Sequence, residues 1–255
     1  MSTPDASALR LVWQDEFNQP LGSGPDPARW VHDLGDNGWG NKELQNYTES
    51  RENSAVVADA DASHRRALLI RAVRTPSGGY TSARLKTQGK FSTMRGRIEA
   101  RLRLPQGQGI WPAFWMLGDG FGTIPWPDCG EIDIVEMIGH QPGTLYGTLH
   151  GPGYSAAAGL AKSVNLPGGA IFADAYHVFA VDWRPGRIDW ILDGSVYHSL
   201  TPADLPAGTK WVFDDTPCFL LLNLAVGGVW PGYPDATTQF PQEYRIDYVR
   251  VYALP

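Results

Sequence analysis

Between Arg97 and Leu104, charged and apolar residues alternate without a break. Arg97, Glu99, Arg101 and Arg103 fall on one side, and Ile98, Ala100, Leu102 and Leu104 on the other. A period of two marks a β-strand with one wet face and one buried face. The four charged residues read as a solvated ladder of cross-strand charges. The same period recurs over residues 176–183, 187–192 and 244–252, and the pairs Pro185-Gly186 and Asp193-Gly194 turn residues 176–200 into a β-meander. With 29 glycines and 20 prolines to punctuate it, the chain divides into roughly a dozen short strands with almost no helix, beyond one turn expected within 201–209. A β-sandwich or jelly roll is the economical architecture. A single all-β domain is expected over residues 1–255, with 1–10 disordered, a first strand at 11–17 that could pair with the closing strand, and a loop over 155–175.

Two strands depart from simple alternation. Residues 217–226 are almost continuously apolar, as in a strand buried on both faces. In residues 110–117, Trp111, Ala113, Trp115 and Leu117 share one face, so the two indoles form either core or a stacking platform. The segment Gly130-Glu-Ile-Asp-Ile-Val-Glu-Met137 then places three carboxylates in six residues of an otherwise buried strand. Glu131 and Asp133 share a face, but Glu136, at an odd offset, would point into the apolar side of a regular strand. One extra residue, a β-bulge around Val135, returns it to the acidic face, and bulges are over-represented beside active sites. Three carboxylates on a merely solvated strand fit poorly with apolar neighbours throughout.

The net charge is −6 and the 21 basic residues are scattered, which argues against nucleic acid or an anionic membrane as partner. A neutral ligand fits better. The longest apolar run, 219–226, is interrupted by Asn223 and falls well short of the ~18 residues that span a bilayer. P-loop, dinucleotide, zinc and Gly-x-Ser-x-Gly patterns are absent. Cys129 and Cys218 either pair or remain two buried thiols. The first residues lack a signal-peptide pattern, so the protein is either cytosolic or begins after a removed signal. Residues 38–48 crowd amides and carboxylates beside Trp and Tyr, as in either a solvated loop or a surface for sugar hydroxyls and sugar faces.

Gly130-Glu-Ile-Asp-Ile-Val-Glu136 resembles the catalytic signature of glycoside hydrolase family 16 in its laminarinase-like form, Glu-x-Asp-x-x-Glu. Further landmarks follow in order: Trp13-Gln-Asp-Glu-Phe17, Trp39-Gly-Asn-Lys-Glu-Leu-Gln-Asn-Tyr-Thr48, Ser82-Ala-Arg-Leu85, Gly109-Ile-Trp-Pro-Ala-Phe-Trp-Met-Leu117, Leu149-His-Gly151, Leu222-Asn-Leu-Ala-Val-Gly-Gly228 and Asp247-Tyr-Val-Arg-Val-Tyr252. The resemblance implies a β-jelly roll of two packed antiparallel sheets with a concave substrate cleft. It implies a retaining endo-acting hydrolase of β-1,3-glucans such as laminarin or curdlan, with mixed β-1,3/1,4-glucans as further substrates. A β-glucan transglycosylase and a noncatalytic β-glucan-binding protein are the alternatives.

Under this resemblance Glu131 is the nucleophile, Glu136 the acid/base, and Asp133 the residue that orients Glu131. Hydrogen bonds are expected to keep Glu131 ionised, while nearby charge and burial raise Glu136. The resemblance also implies that Trp111, Trp115 and Trp230 stack on sugar rings and that Asn41, Glu43, Arg84 and His150 bond hydroxyls. His150, read by itself, is either structural or cleft-facing. No cofactor is expected for catalysis. A structural Ca²⁺ on Asp247 and the Glu16 main chain is expected by analogy, against a surface ion pair at Asp247. A secreted monomer, its signal removed, completes the expectation.

Overall fold

A computed structural model describes residues 9–255. Most of the segment expected to be disordered, residues 1–8, lies outside the described residues. Arg10, the last of that segment, is already in a strand and pairs with Ala253. The strands are β1 (Arg10–Asp15), β2 (Val31–Asp33), β3 (Gln45–Tyr47), β4 (Ser54–Ala58), β5 (Arg66–Arg74), β6 (Tyr80–Ser82), β7 (Arg84–Lys86), β8 (Gly96–Arg103), β9 (Ile110–Gly118), β10 (Glu131–Glu136), β11 (Thr144–His150), β12 (Leu160–Asn165), β13 (His177–Arg184), β14 (Arg187–Leu192), β15 (Ser195–Leu200), β16 (Cys218–Val226) and β17 (Gln242–Ala253).

They form two packed sheets, as expected for a jelly roll. The seven-stranded sheet runs β12-β11-β10-β9-β16-β7-β2; the ten-stranded one runs β15-β14-β13-β8-β17-β5-β6-β3, with β1 on β17 and β4 on β5. Pairing is antiparallel except between β3 and β6. The core lies between the sheets. Ile98, Ala100 and Leu102 of β8 belong to the same buried cluster as Phe114 and Met116 of β9 and Ile132 of β10. The alternation on β8 and β10 thus sends their apolar residues toward each other and their charged residues outward on opposite sides of the sandwich.

The meander and the turn at Pro202–Asp204 match expectation. Residues 155–175 do not form only a loop, because β12 crosses them and pairs with β11. This is an edge strand with Ala161, Lys162 and Ser163 exposed. An edge strand buries too little to need apolar alternation, and its lysine discourages further pairing. Cys129 and Cys218 are both free and buried.

The charged ladder of β8 is bound to its neighbours. Arg97 Nε meets Asp182 Oδ1 at 2.7 Å, and Arg103 Nη2 lies 3.5 Å from Asp59 Oδ2. Asp247, fully buried, accepts from Ser63 N at 2.9 Å, Ser63 Oγ at 2.8 Å and Arg101 Nη1 at 2.5 Å. The Glu16 carboxylate is held by Arg250 at 2.7 and 2.8 Å. Both Asp247 oxygens thus accept from protein donors, with Arg101 supplying the positive charge, which is the ion-pair alternative at Asp247.

Candidate active site

β10 lies between β9 and β11, where both backbone edges are paired. On the β9 side Asp133 faces Trp115 and Val135 faces Phe114, leaving Ile134 unmatched. On the β11 side the register runs from Asp133↔Thr148 to Glu136↔Tyr146, three steps against two. The bulge is therefore present, with Ile134 rather than Val135 as the unmatched residue. Both side chains are buried in the core. Two consecutive apolar residues turning inward are what a bulge permits, and sequence cannot tell which of the two is the extra one.

The three carboxylates consequently meet on the outer face. Asp133 is buried, while Glu131 and Glu136 are half-buried. Trp126 Nε1 donates to Glu131 Oε2 at 2.9 Å. Glu136 receives Trp111 Nε1 at 3.2 Å and Thr148 Oγ1 at 3.3 Å. His150 Nε2 stands 3.2 Å from Asp133 Oδ2 and 3.8 Å from Glu131 Oε1. Donor atoms of Glu131, Asp133 and His150 lie within 4.8 Å of one another, so among the described residues these three could converge on a cation.

Burial sets the protonation of this group. Glu131 is pushed up to about 8 by burial and then by the Asp133 charge, with His150 and the Trp126 N–H opposing. Glu136 is pushed up to about 7 by burial, with His150 opposing and the Glu131 charge adding. Asp133 is raised by burial and by Glu136. The expectation that Glu136 alone would be raised is therefore corrected: three close acids in a dry site share their protons and titrate as a unit.

The flanking residues occupy two walls. In one, Glu43 accepts from Asn41 Nδ2 at 3.1 Å, Gln45 Nε2 at 2.6 Å and Tyr47 Oη at 3.3 Å. Arg84 Nε pairs with Asp33 at 3.0 Å, and its guanidinium lies 4.8 Å from the ring centroids of both Trp39 and Trp115. Trp115 Nε1 donates to Asn223 Oδ1 at 2.7 Å. Arg84 thus lies over the Trp115 ring, and the indole braces the arginine.

At the other wall Trp230, 39 % exposed, meets Trp111 edge-on at 5.5 Å and Tyr146 at 5.1 Å. His150 packs beside Trp126, with ring centroids 6.1 Å apart. Its position against Asp133 makes it a partner of the carboxylates.

Sequence reasoning assigned no role to Trp126, Thr148, Tyr146 or Asn223. A signal existed for Trp126, five residues before Glu131 in a loop that must return to β10. Thr148 and Tyr146 become site residues only through the register with β11, and nothing local in the sequence reports that register.

A carboxylate pair brought onto one sheet face and flanked by indoles and amides defines a class: a β-sandwich glycoside hydrolase. The chain belongs to the glycosyl hydrolases family 16, whose family model matches residues 41–250. It is 42 % identical over 252 residues to a beta-glucanase of Rhodothermus marinus, covering 95 % of this chain and 84 % of that one. The laminarinase catalytic domain of Thermotoga maritima superposes with a TM-score of 0.87 at 46 % identity, over 97 % of this chain and 99 % of that one. An endo-beta-1,3-glucanase of Pyrococcus furiosus gives 0.87 at 44 % identity, over 96 % and 94 % of the two chains.

Proposed function

We propose that this protein is an endo-acting hydrolase of β-1,3-glucans, with mixed β-1,3/1,4-glucans as secondary substrates, working with retention of configuration. The observation that carries the reading is the bulge, which brings Glu131 and Glu136 to one face with an indole N–H on each. Glu131 attacks the anomeric carbon to form a covalent glycosyl-enzyme, while Glu136 passes its proton to the departing oxygen. Glu136 then takes a proton from the water that releases the sugar. Positive charge developing at the anomeric carbon draws the carboxylate form onto Glu131, where the Trp126 N–H and His150 also favour it. The shared proton of the cluster is thereby left for Glu136. Asp133 and His150 orient Glu131 from beneath.

Trp230 and Trp111 supply the stacking surface at one wall, and Asn41, Glu43 and Arg84 bond hydroxyls at the other. The protein acts as a secreted monomer on a neutral polysaccharide and needs no cofactor for the chemistry. The test is reducing-sugar release from laminarin by the protein and by Glu131→Gln and Glu136→Gln. Turnover in the unaltered protein and loss in both variants is expected; an inactive unaltered protein, or full activity in either variant, sinks the assignment.

A further inference from the structure

A bulge turns one peptide out of its ladder, and in β10 that peptide is met from the other sheet. The Asp133 carbonyl oxygen accepts a 2.7 Å hydrogen bond from Nε1 of Trp190, a fully buried residue of β14. β14 belongs to the ten-stranded sheet, so this bond crosses the core to reach the residue at which the register of β10 shifts. A carbonyl aimed into an apolar core without a donor costs about 1–3 kcal/mol. A bulge lacking the indole would be driven back toward regular pairing, and regular pairing turns Glu136 inward.

The indole is itself fixed on both sides. Its ring stacks on His198 at 4.7 Å with an interplanar angle of 29°. The indole also abuts Gly147 of β11, where any side chain would run into the Trp190 ring and the Tyr197 hydroxyl. Gly147 lies between Tyr146, the register partner of Glu136, and Thr148, the partner of Asp133. The missing side chain lets a residue of one sheet reach the backbone of the other directly beneath the carboxylates.

We propose that Trp190 is a positioning residue for the reaction: its N–H pins the bulge from across the core and so sets the spacing and direction of Glu131 and Glu136. The inference rests on the catalytic roles given above. Trp190 touches no substrate and acts only through the backbone of β10. A displacement of about 1 Å at reacting groups can cost ~100-fold in rate without altering ligand contacts.

The molecule contains a matched control. Trp183 of β13 is equally buried, and its Nε1 donates to a backbone carbonyl, that of Phe213, at 2.9 Å. That bond does not involve β10. Trp190→Phe and Trp183→Phe therefore remove the same atoms and one N–H···O bond each.

Both variants are expected to melt lower by similar amounts. Only Trp190→Phe should lose turnover of laminarin, by about 10–100-fold in kcat with KM within about two-fold. Amide hydrogen exchange in the peptide spanning residues 131–137 should also accelerate in Trp190→Phe and not in Trp183→Phe. Equal kcat values in the two variants, with equal exchange in that peptide, would overturn the proposal. If Trp190→Phe fails to fold, the isostere 3-benzothienylalanine at position 190 replaces N–H by sulfur at nearly constant volume, and the same two outcomes decide. The exchange comparison stands whether or not laminarin is turned over, so it separates this inference from the proposed activity.

Discussion

The two outer faces of the sandwich use the same acidic side chains to opposite ends. On the ten-stranded face Asp182, Asp247, Asp59, Glu16 and Glu243 each meet an arginine. There the paired guanidinium groups hold the Glu16, Glu243 and Asp59 carboxyls below their ordinary range, against the pull of burial. On the seven-stranded face Glu131, Asp133 and Glu136 form no ion pair with lysine or arginine among the described residues, and their nearest cationic partner is His150. All three are raised. Glu99 shows that the rule is about partners rather than faces: it lies on the ten-stranded side, yet burial outweighs the charges of Arg97 and Arg250 and it too is raised. Pairing fixes an acid as a charge that holds strands together. Leaving acids unpaired keeps their protons available for transfer.

Four measurements bear on that contrast. The largest effect is on rate. Glu136→Gln should lower turnover of laminarin by about 1,000-fold, while Glu243→Gln on the other face leaves it unchanged; comparable losses in both would erase the distinction. Next is stability. Asp182→Ala strips the buried Arg97 of its partner and should cost about 3 kcal/mol, roughly 6–12 °C in melting temperature, with kcat on laminarin retained. A smaller change is expected from Trp126→Phe, which removes the N–H on Glu131 and should reduce kcat about ten-fold. Its acidic limb should also move to higher pH, because the ionised form has lost a donor. An unmoved pH profile would show that the indole only packs.

The smallest effect is on the pH dependence of melting, and its sign differs between the faces. Glu16 and Glu243, held low, add stability that is present above the ordinary value of 4.5 and is lost as pH falls through their depressed values. Glu131 and Glu136, held high, add stability that is present below 4.5 and is lost as pH rises through about 8 and about 7, respectively. Glu131→Gln should therefore melt a few degrees above the unaltered protein at pH 8.5 and together with it at pH 4. A difference that is the same at both pH values would mean that the raised acids are not the cause.

The strands, the sandwich class and the acidic pair were legible in the sequence because alternation and its interruption are local signals. The odd offset of Glu136 carried the bulge without any knowledge of the fold. β12 was missed because its inward face carries only Leu160 and Val164, with the exposed Lys162 between them, too little to pattern. Thr148, Tyr146 and Asn223 were missed because their roles come from strand register, which joins residues far apart in the chain. For Trp115 the residue pattern left core and stacking platform open, stacking came from the resemblance, and neither can show Arg84 lying over the ring. The ion pair at Asp247 was hidden for a similar reason: Arg101 is four residues along β8 from Arg97 and looks like another rung of the ladder until Asp247 is found against it.

Ile134 has a metrical consequence. On a regular strand, side chains that share a face are separated by whole multiples of about 6.6 Å, so a sheet offers its surface groups only a coarse ruler. One unmatched residue inserts a fraction of that interval and works as a vernier. The separation of two acids on this sheet is thereby freed from the pitch of the backbone that carries them.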